Sequence, residues 1–189
     1  MDAVDDCRQA VAGAKRLITS VGPGDLARST PCKDWNVRAL IGHMITMCDA
    51  FSIALGATDD AGYVAPPLAD LELVDPAPAY GEAAAAALEA WSRPGWADKM
   101  LRLPFGTLPG SIGVRIFCGD QLIHTWDLAT ALGCYFAMPD DLASAQLEMM
   151  QRYYDASTRG ADQPFDLATD CPPDASVQDR LIALSGRSL

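Results

Sequence analysis

The chain has only two histidines, His43 and His124, and each falls inside a run whose spacing reads as helix. In GDQLIHTWDLA, His124 follows Asp120 by four residues. At 3.6 residues per turn, a carboxylate and an imidazole so spaced project from the same side of the helix, one above the other. His43 sits in LIGHMIT, among apolar neighbours on what reads as a second helix. A carboxylate and an imidazole on one helix, with an imidazole from another, is how a helical bundle builds a metal site in its core. Two histidines and a carboxylate suit Zn²⁺ with an open fourth position, or Fe²⁺ with more positions open. The same residues have plainer uses. A helical histidine can pack in the core or face solvent, and an Asp–His pair four apart can be an exposed charge pair worth about 0.2–0.5 kcal/mol. Spacing alone does not bring His43 to the other two.

Residues flanking this trio invite two readings each. Asp127, three positions after His124, lies near the same helix face. It could orient His43 or a metal-bound water as an outer acceptor, or it could pair structurally. Trp35, just before the second helix, reads as a core anchor or hydrophobic staple. Cys32, in the TPC segment, lies where a helix dipole favours thiolate, but with no base close in sequence it reads as structural. Arg38 and Arg115 are either clamps for a substrate carboxylate or solvent-facing cations.

These residues need helices to hold them, and the sequence supplies the pattern. Val4, Cys7, Val11, Ala14, Leu17, Ile18 and Val21 recur at steps of three and four, forming one apolar helix face that VGPGD ends. A second helix is expected from Asn36, as N-cap, to Gly56, with Val37, Leu40, Ile41, Met44, Cys48, Phe51 and Leu55 on its buried face. Residues Ala57 to Ala79 are rich in Pro and Asp and read as a long connection, functional or partly mobile. A third, Ala-rich helix is expected from about Tyr80 to Trp91. MLRLPFGTLPG reads as a bent strand pair or an irregular crossing. The fourth helix is expected to start at Ser111 as N-cap and to close at Gly133. A fifth should run from Pro139, at its first position, to Asp155, and a short last one should end at Gly186. The expected fold is all-α, an up-down four-helix bundle with extra C-terminal helices and at most short strands. The whole of 1–189 is expected to be one domain, the bundle core covering about 2–133 and a helical addition about 134–189.

Composition bounds the partners. The 189 residues are 50% hydrophobic and 21% charged, enough for one full core. A formal net charge of −11 argues against nucleic acid and against anionic membrane surfaces. The acidic N-terminus lacks the basic-then-apolar pattern of a secretory signal, and no apolar stretch reads as long enough to span a bilayer. The six cysteines are scattered with no CxxC pair, and Cys48 and Cys118 lie inside apolar helical runs. They are expected to be reduced, mostly buried thiols in a cytoplasmic protein.

Two longer motifs add to this. TPCKDWNVRALIGHM, Thr30 to Met44, and HTWDLATALG, His124 to Gly133, resemble the actinobacterial metal-binding proteins related to mycothiol-dependent maleylpyruvate isomerase, within the DinB/YfiT-like superfamily of four-helix bundles. The matching positions are Thr30, Pro31, Cys32, Trp35, Val37, Leu40 and His43, then His124, Trp126, Asp127, Leu128 and Ala129. The closing DRLIALSGR, Asp179 to Arg187, is also similar to the family's C-terminal signature. The resemblance implies a divalent metal, usually zinc and otherwise nickel, iron or manganese, bound by His43, Asp120 and His124. Where the isomerase carries Glu, this chain has Asp120, one methylene shorter. The isomerase also carries a further C-terminal domain that this chain is too short to hold, so the expectation is the family's thiol chemistry rather than the isomerisation itself. The implied partners are mycothiol or another small thiol as co-substrate and an electrophilic small molecule, with a homodimer among the expected states. Two further functions are open: a metal-dependent hydrolase, and a binding module without turnover.

Overall fold

The computed structural model describes residues 2–57, 75–154, 160 and 166–189. Helix α1 (Ala3–Ile18) starts on Asp2, whose carboxylate accepts from the Val4 amide. Asp5 and Asp6 in its first turn and Lys15 and Arg16 in its last match the helix dipole. Helix α2 (Val37–Gly56) is capped by Asn36, whose side-chain oxygen accepts from the Ala39 amide at 3.0 Å. The seven apolar positions expected to face inward on α2 are all buried. Helix α3 (Pro76–Trp91) begins four residues before the expected Tyr80, because Asp75 caps it through the Ala77 amide and Pro76 takes the first helical position. Residues 75–79 thus belong to α3 and its cap. The rest of the expected long connection, 58–74, lies outside the described residues.

Strands β1 (Met100–Leu103) and β2 (Gly106–Pro109) form an antiparallel hairpin, Leu103 pairing with Gly106 and Met100 with Pro109. Helix α4 (Gly110–Leu132) follows at once, so its cap position is Pro109 and not the expected Ser111. No side-chain cap is needed: Gly110 and Ser111 donate their amides to the Lys99 and Ala97 carbonyls at 2.8 and 2.9 Å. That approach requires glycine at 110, since a Cβ there would overlap the Trp96 carbonyl. The helix ends on Gly133 at φ 71°, a left-handed cap that suits glycine.

Helix α1 packs on α3 and α4, and α2 packs on the same two. The helices therefore run round the bundle as α1, α3, α2, α4, and each chain-consecutive pair α1–α2 and α3–α4 spans a diagonal. Hydrophobic periodicity says which face of a helix is buried, not which neighbour covers it; the diagonal order is allowed by the long connections 19–36 and 92–109. Phe51, Trp91 and Phe117 meet at the centre, with ring centroids 5.4–6.2 Å apart. Each ring contributes about 1.5–3 kcal/mol by burial.

One expectation is corrected. By length and composition α2 is apolar enough to cross a membrane, which the sequence was not expected to allow anywhere. The reason is that 67% of its most apolar window is buried inside the protein, so its apolarity is that of a core helix.

By internal contacts the chain divides into Met1–Cys134 and Tyr135–Leu189. In the second unit α5 (Asp140–Tyr153) packs on α6 (Val177–Leu184). Pro139 is the cap of α5 and not its first helical residue. The Gln178 side-chain oxygen accepts from the Met138 amide at 2.7 Å, and Ser176 caps α6 through the Asp179 amide.

Candidate metal centre

The TPCKDW segment folds into a small knot before α2. Thr30 Oγ1 donates to the Trp35 carbonyl at 2.9 Å and accepts from the Cys32 amide at 3.1 Å, and the Trp35 amide donates to the Cys32 carbonyl at 3.1 Å. Asp34 makes the turn at φ 65°. Cys32 and Trp35 are thereby fixed on the same side as the imidazoles of α2 and α4.

His43 on α2 and Asp120 and His124 on α4 come together. His43 Nε2 lies 2.9 Å from Asp120 Oδ1, and His124 Nε2 lies 3.5 Å from the same oxygen. The two rings stand 4.8 Å apart at 80°. The site opens on the His43 side, whose side chain is 23% exposed against 12% for Asp120 and for His124. Asp120 Oδ2 points the other way and accepts from Gln121 Nε2 at 3.1 Å. Its negative charge reaches further: together with burial, which is the larger cause, it pushes the Cys48 thiol well above its ordinary range.

Asp127 lies against His124: its fully buried carboxylate has Oδ2 2.9 Å from Nδ1. Cys32 and Trp35, which the sequence reads as structural, both lie against the candidate site. Cys32 Sγ donates to Asp127 Oδ2 at 3.1 Å and lies 3.7 Å from His124 Nδ1. Trp35 is half-buried, its ring 4.8 Å from His43 and 5.8 Å from His124, so it walls both imidazoles. The available signal was the TPCxxW spacing itself, which ties a thiol and an indole to one loop. Arg115 is exposed and Arg38 half-buried in the first turn of α2.

The donor chemistry fits a divalent ion. The ligand atoms of His43, Asp120 and His124 all lie within 4.8 Å of one another, as do those of Cys32, His124 and Asp127. Tetrahedral ligands at about 2.0–2.1 Å stand about 3.3 Å apart, and the spacings of 2.9 and 3.5 Å in the first group straddle that value. The second group contains the outer carboxylate that typically fixes a ligand histidine, here on the ring nitrogen turned away from Asp120.

Two imidazoles and a carboxylate thus meet where α2 packs on α4 in a helical bundle. The chain belongs to the family described as the mycothiol maleylpyruvate isomerase N-terminal domain, whose profile matches residues 7–129. It is 30% identical over 175 residues to the uncharacterized proteins MT0763 and Rv0738 of two Mycobacterium tuberculosis strains, covering 92% of this chain and 91% of each relative. Its fold is similar to that of the mycothiol-dependent maleylpyruvate isomerase, with a TM-score of 0.62 at 18% identity over 79% of this chain. A histidine-to-alanine mutant of that isomerase matches with a TM-score of 0.61. The match spans 66% of the isomerase chain.

Proposed function

We propose that the protein is a metal-dependent enzyme of small-thiol chemistry, transferring or adding a mycothiol-type thiol to an electrophilic small molecule. The observation that carries this reading is the convergence of His43 Nε2 and His124 Nε2 on one oxygen of Asp120. These three residues would hold the ion, most suitably zinc. When bound, it supplies the positive charge that stabilises a thiolate over a thiol, whose unperturbed pKa is about 8.5.

The surrounding residues prepare the site for that work. Asp127 accepts from His124 Nδ1, which holds the ring proton on that nitrogen and leaves the Nε2 lone pair facing Asp120. Cys32 donates its S–H to the same carboxylate oxygen and helps to fix its direction. Trp35 covers one flank of the imidazoles and keeps water from it. Three protein donors would leave room for an exogenous fourth, and in this reading the small thiol would take it. Membership of a mycothiol-linked family supports a thiol as that donor. The cytoplasm, where thiols stay reduced, suits a chain whose six cysteines are all free.

The test is a titration of the cobalt-loaded protein with mycothiol, followed by a panel of electrophiles. A thiolate-to-cobalt absorption band and thiol-dependent loss of an electrophile are expected. Turnover that needs no thiol would instead favour a hydrolase, and binding without turnover a ligand-binding module.

A further inference from the structure

The two oxygens of Asp120 are in different circumstances. Oδ1 faces both imidazoles, whereas Oδ2 is held by the side-chain amide of Gln121. That amide is itself fixed at both ends. Its Oε1 accepts from Tyr80 O–H at 2.8 Å, and its Nε2 also donates to the Met44 carbonyl at 3.4 Å. Gln121 and Tyr80 are both fully buried, so water does not compete for these bonds.

The orientation of the amide follows from chemistry. Burial, with Cys48 and the Asp120 carboxylate nearby, pushes the Tyr80 phenol well above its ordinary range, so it keeps its proton. A phenol that donates needs an acceptor, which turns the Gln121 carbonyl toward it and the NH₂ toward Asp120. The opposite flip would set NH₂ against O–H and a carbonyl against a carboxylate. One chain of hydrogen bonds thus runs from α3 through α4 to the Asp120 carboxylate, with a branch to the backbone of α2.

We propose that Tyr80 and Gln121 are positioning residues that pin the Asp120 carboxylate and leave Oδ1 alone to serve as a one-oxygen ligand. This rests on the metal reading above. The chain makes Asp120 directional before any ion arrives: it takes up the second oxygen, holds the carboxylate plane, and ties the ligand on α4 to its neighbour α2 and, across the diagonal, to α3.

The experiment measures zinc affinity by competition with a chromophoric chelator, and the d–d absorption of the cobalt form, for wild type, Gln121→Met, Tyr80→Phe and the double variant. Folding is checked by circular dichroism on the metal-free proteins. Outer partners of metal ligands typically control affinity by 10- to 100-fold, and Gln121→Met should lose about that much and shift the cobalt spectrum. Tyr80→Phe removes one neutral hydrogen bond, for an expected loss of about 2- to 10-fold in the same direction. Because Tyr80 acts through Gln121, the double variant should be no worse than Gln121→Met alone. If Gln121→Met does not fold, Tyr80→Phe, which deletes a single oxygen, decides the matter. Wild-type affinity and an unshifted cobalt spectrum in folded Tyr80→Phe and Gln121→Met would overturn this inference alone, provided that His43→Ala loses metal. Failure of the wild type to take up cobalt would overturn the metal reading and this inference with it.

Discussion

Removing the Asp127 carboxylate is the most informative single perturbation of the candidate centre. One fully buried oxygen, Oδ2, serves His124 Nδ1 at 2.9 Å and Cys32 Sγ at 3.1 Å. A hydrogen bond to a charged group contributes about 1.5–3 kcal/mol, and each 1.4 kcal/mol is a factor of ten. In Asp127→Ala the His124 ring loses its orienting acceptor and can rotate or change tautomer, placing the proton on Nε2. Zinc affinity should then fall about 10- to 100-fold. Asp127→Asn keeps the shape and can still accept from Nδ1–H. Charge-assisted bonds are about twice as strong as neutral ones, so Asn should forfeit about half the bond, a loss of about 5- to 10-fold. The assay is chelator competition at fixed pH, with the cobalt spectrum as a second readout. The graded order, wild type above Asn above Ala, is the signature of an orienting carboxylate. Both variants within twofold of wild type, while His43→Ala loses its metal, would refute the reasoning.

Other consequences can be checked by simpler means. The double variant His43→Ala, His124→Ala should lose most bound metal, because Asp120 alone holds an ion poorly; full stoichiometry by elemental analysis would move the site elsewhere. Gly110→Ala should destabilise the fold by about 1–3 kcal/mol or more in urea unfolding, since the new Cβ meets the Trp96 carbonyl and backbone must shift. Stability should also fall in alkali. Burial holds the Cys7 and Cys48 thiols above 9.0 and the Tyr80 phenol above 10.0, so the unfolded chain releases these protons first. Their contribution is complete below those unfolded values and is lost as pH rises toward the folded ones. The urea midpoint should therefore decline above about pH 9, and Cys48→Ala should decline less steeply.

The bundle was readable because helix faces are written in local periodicity. Asn36, Gly56 and Gly133 mark boundaries by backbone chemistry, and the structure has an N-cap at the first, a helix end at the second and a left-handed cap at the third. The start of α4 was misplaced for the opposite reason: Ser111 is a good cap by type, but backbone carbonyls of Lys99 and Ala97 had already satisfied the helix's first amides. Such partners are long-range and leave no trace in local spacing. The diagonal packing order was hidden likewise, because a buried stripe does not name the helix that covers it.

The same distinction divides the candidate centre. Asp120 and His124 share a helix, so their alignment follows from pitch alone, and a four-residue step was enough to pair them. His43 joins them only through packing of α2 on α4, and its membership needed either the bundle or the family resemblance. Cys32 shows what type-based reading cannot see. It was set aside for want of a base nearby in sequence, yet its hydrogen-bond acceptor is Asp127, 95 residues away. A thiol is read as structural or chemical by what surrounds it in space, and here the surroundings are a buried carboxylate and an imidazole on another helix. Gln121 makes the point for an uncharged residue. Nothing in its type or its place beside Asp120 on α4 names a partner, and only Tyr80 arriving from α3 turns its amide into a fixed donor toward the carboxylate.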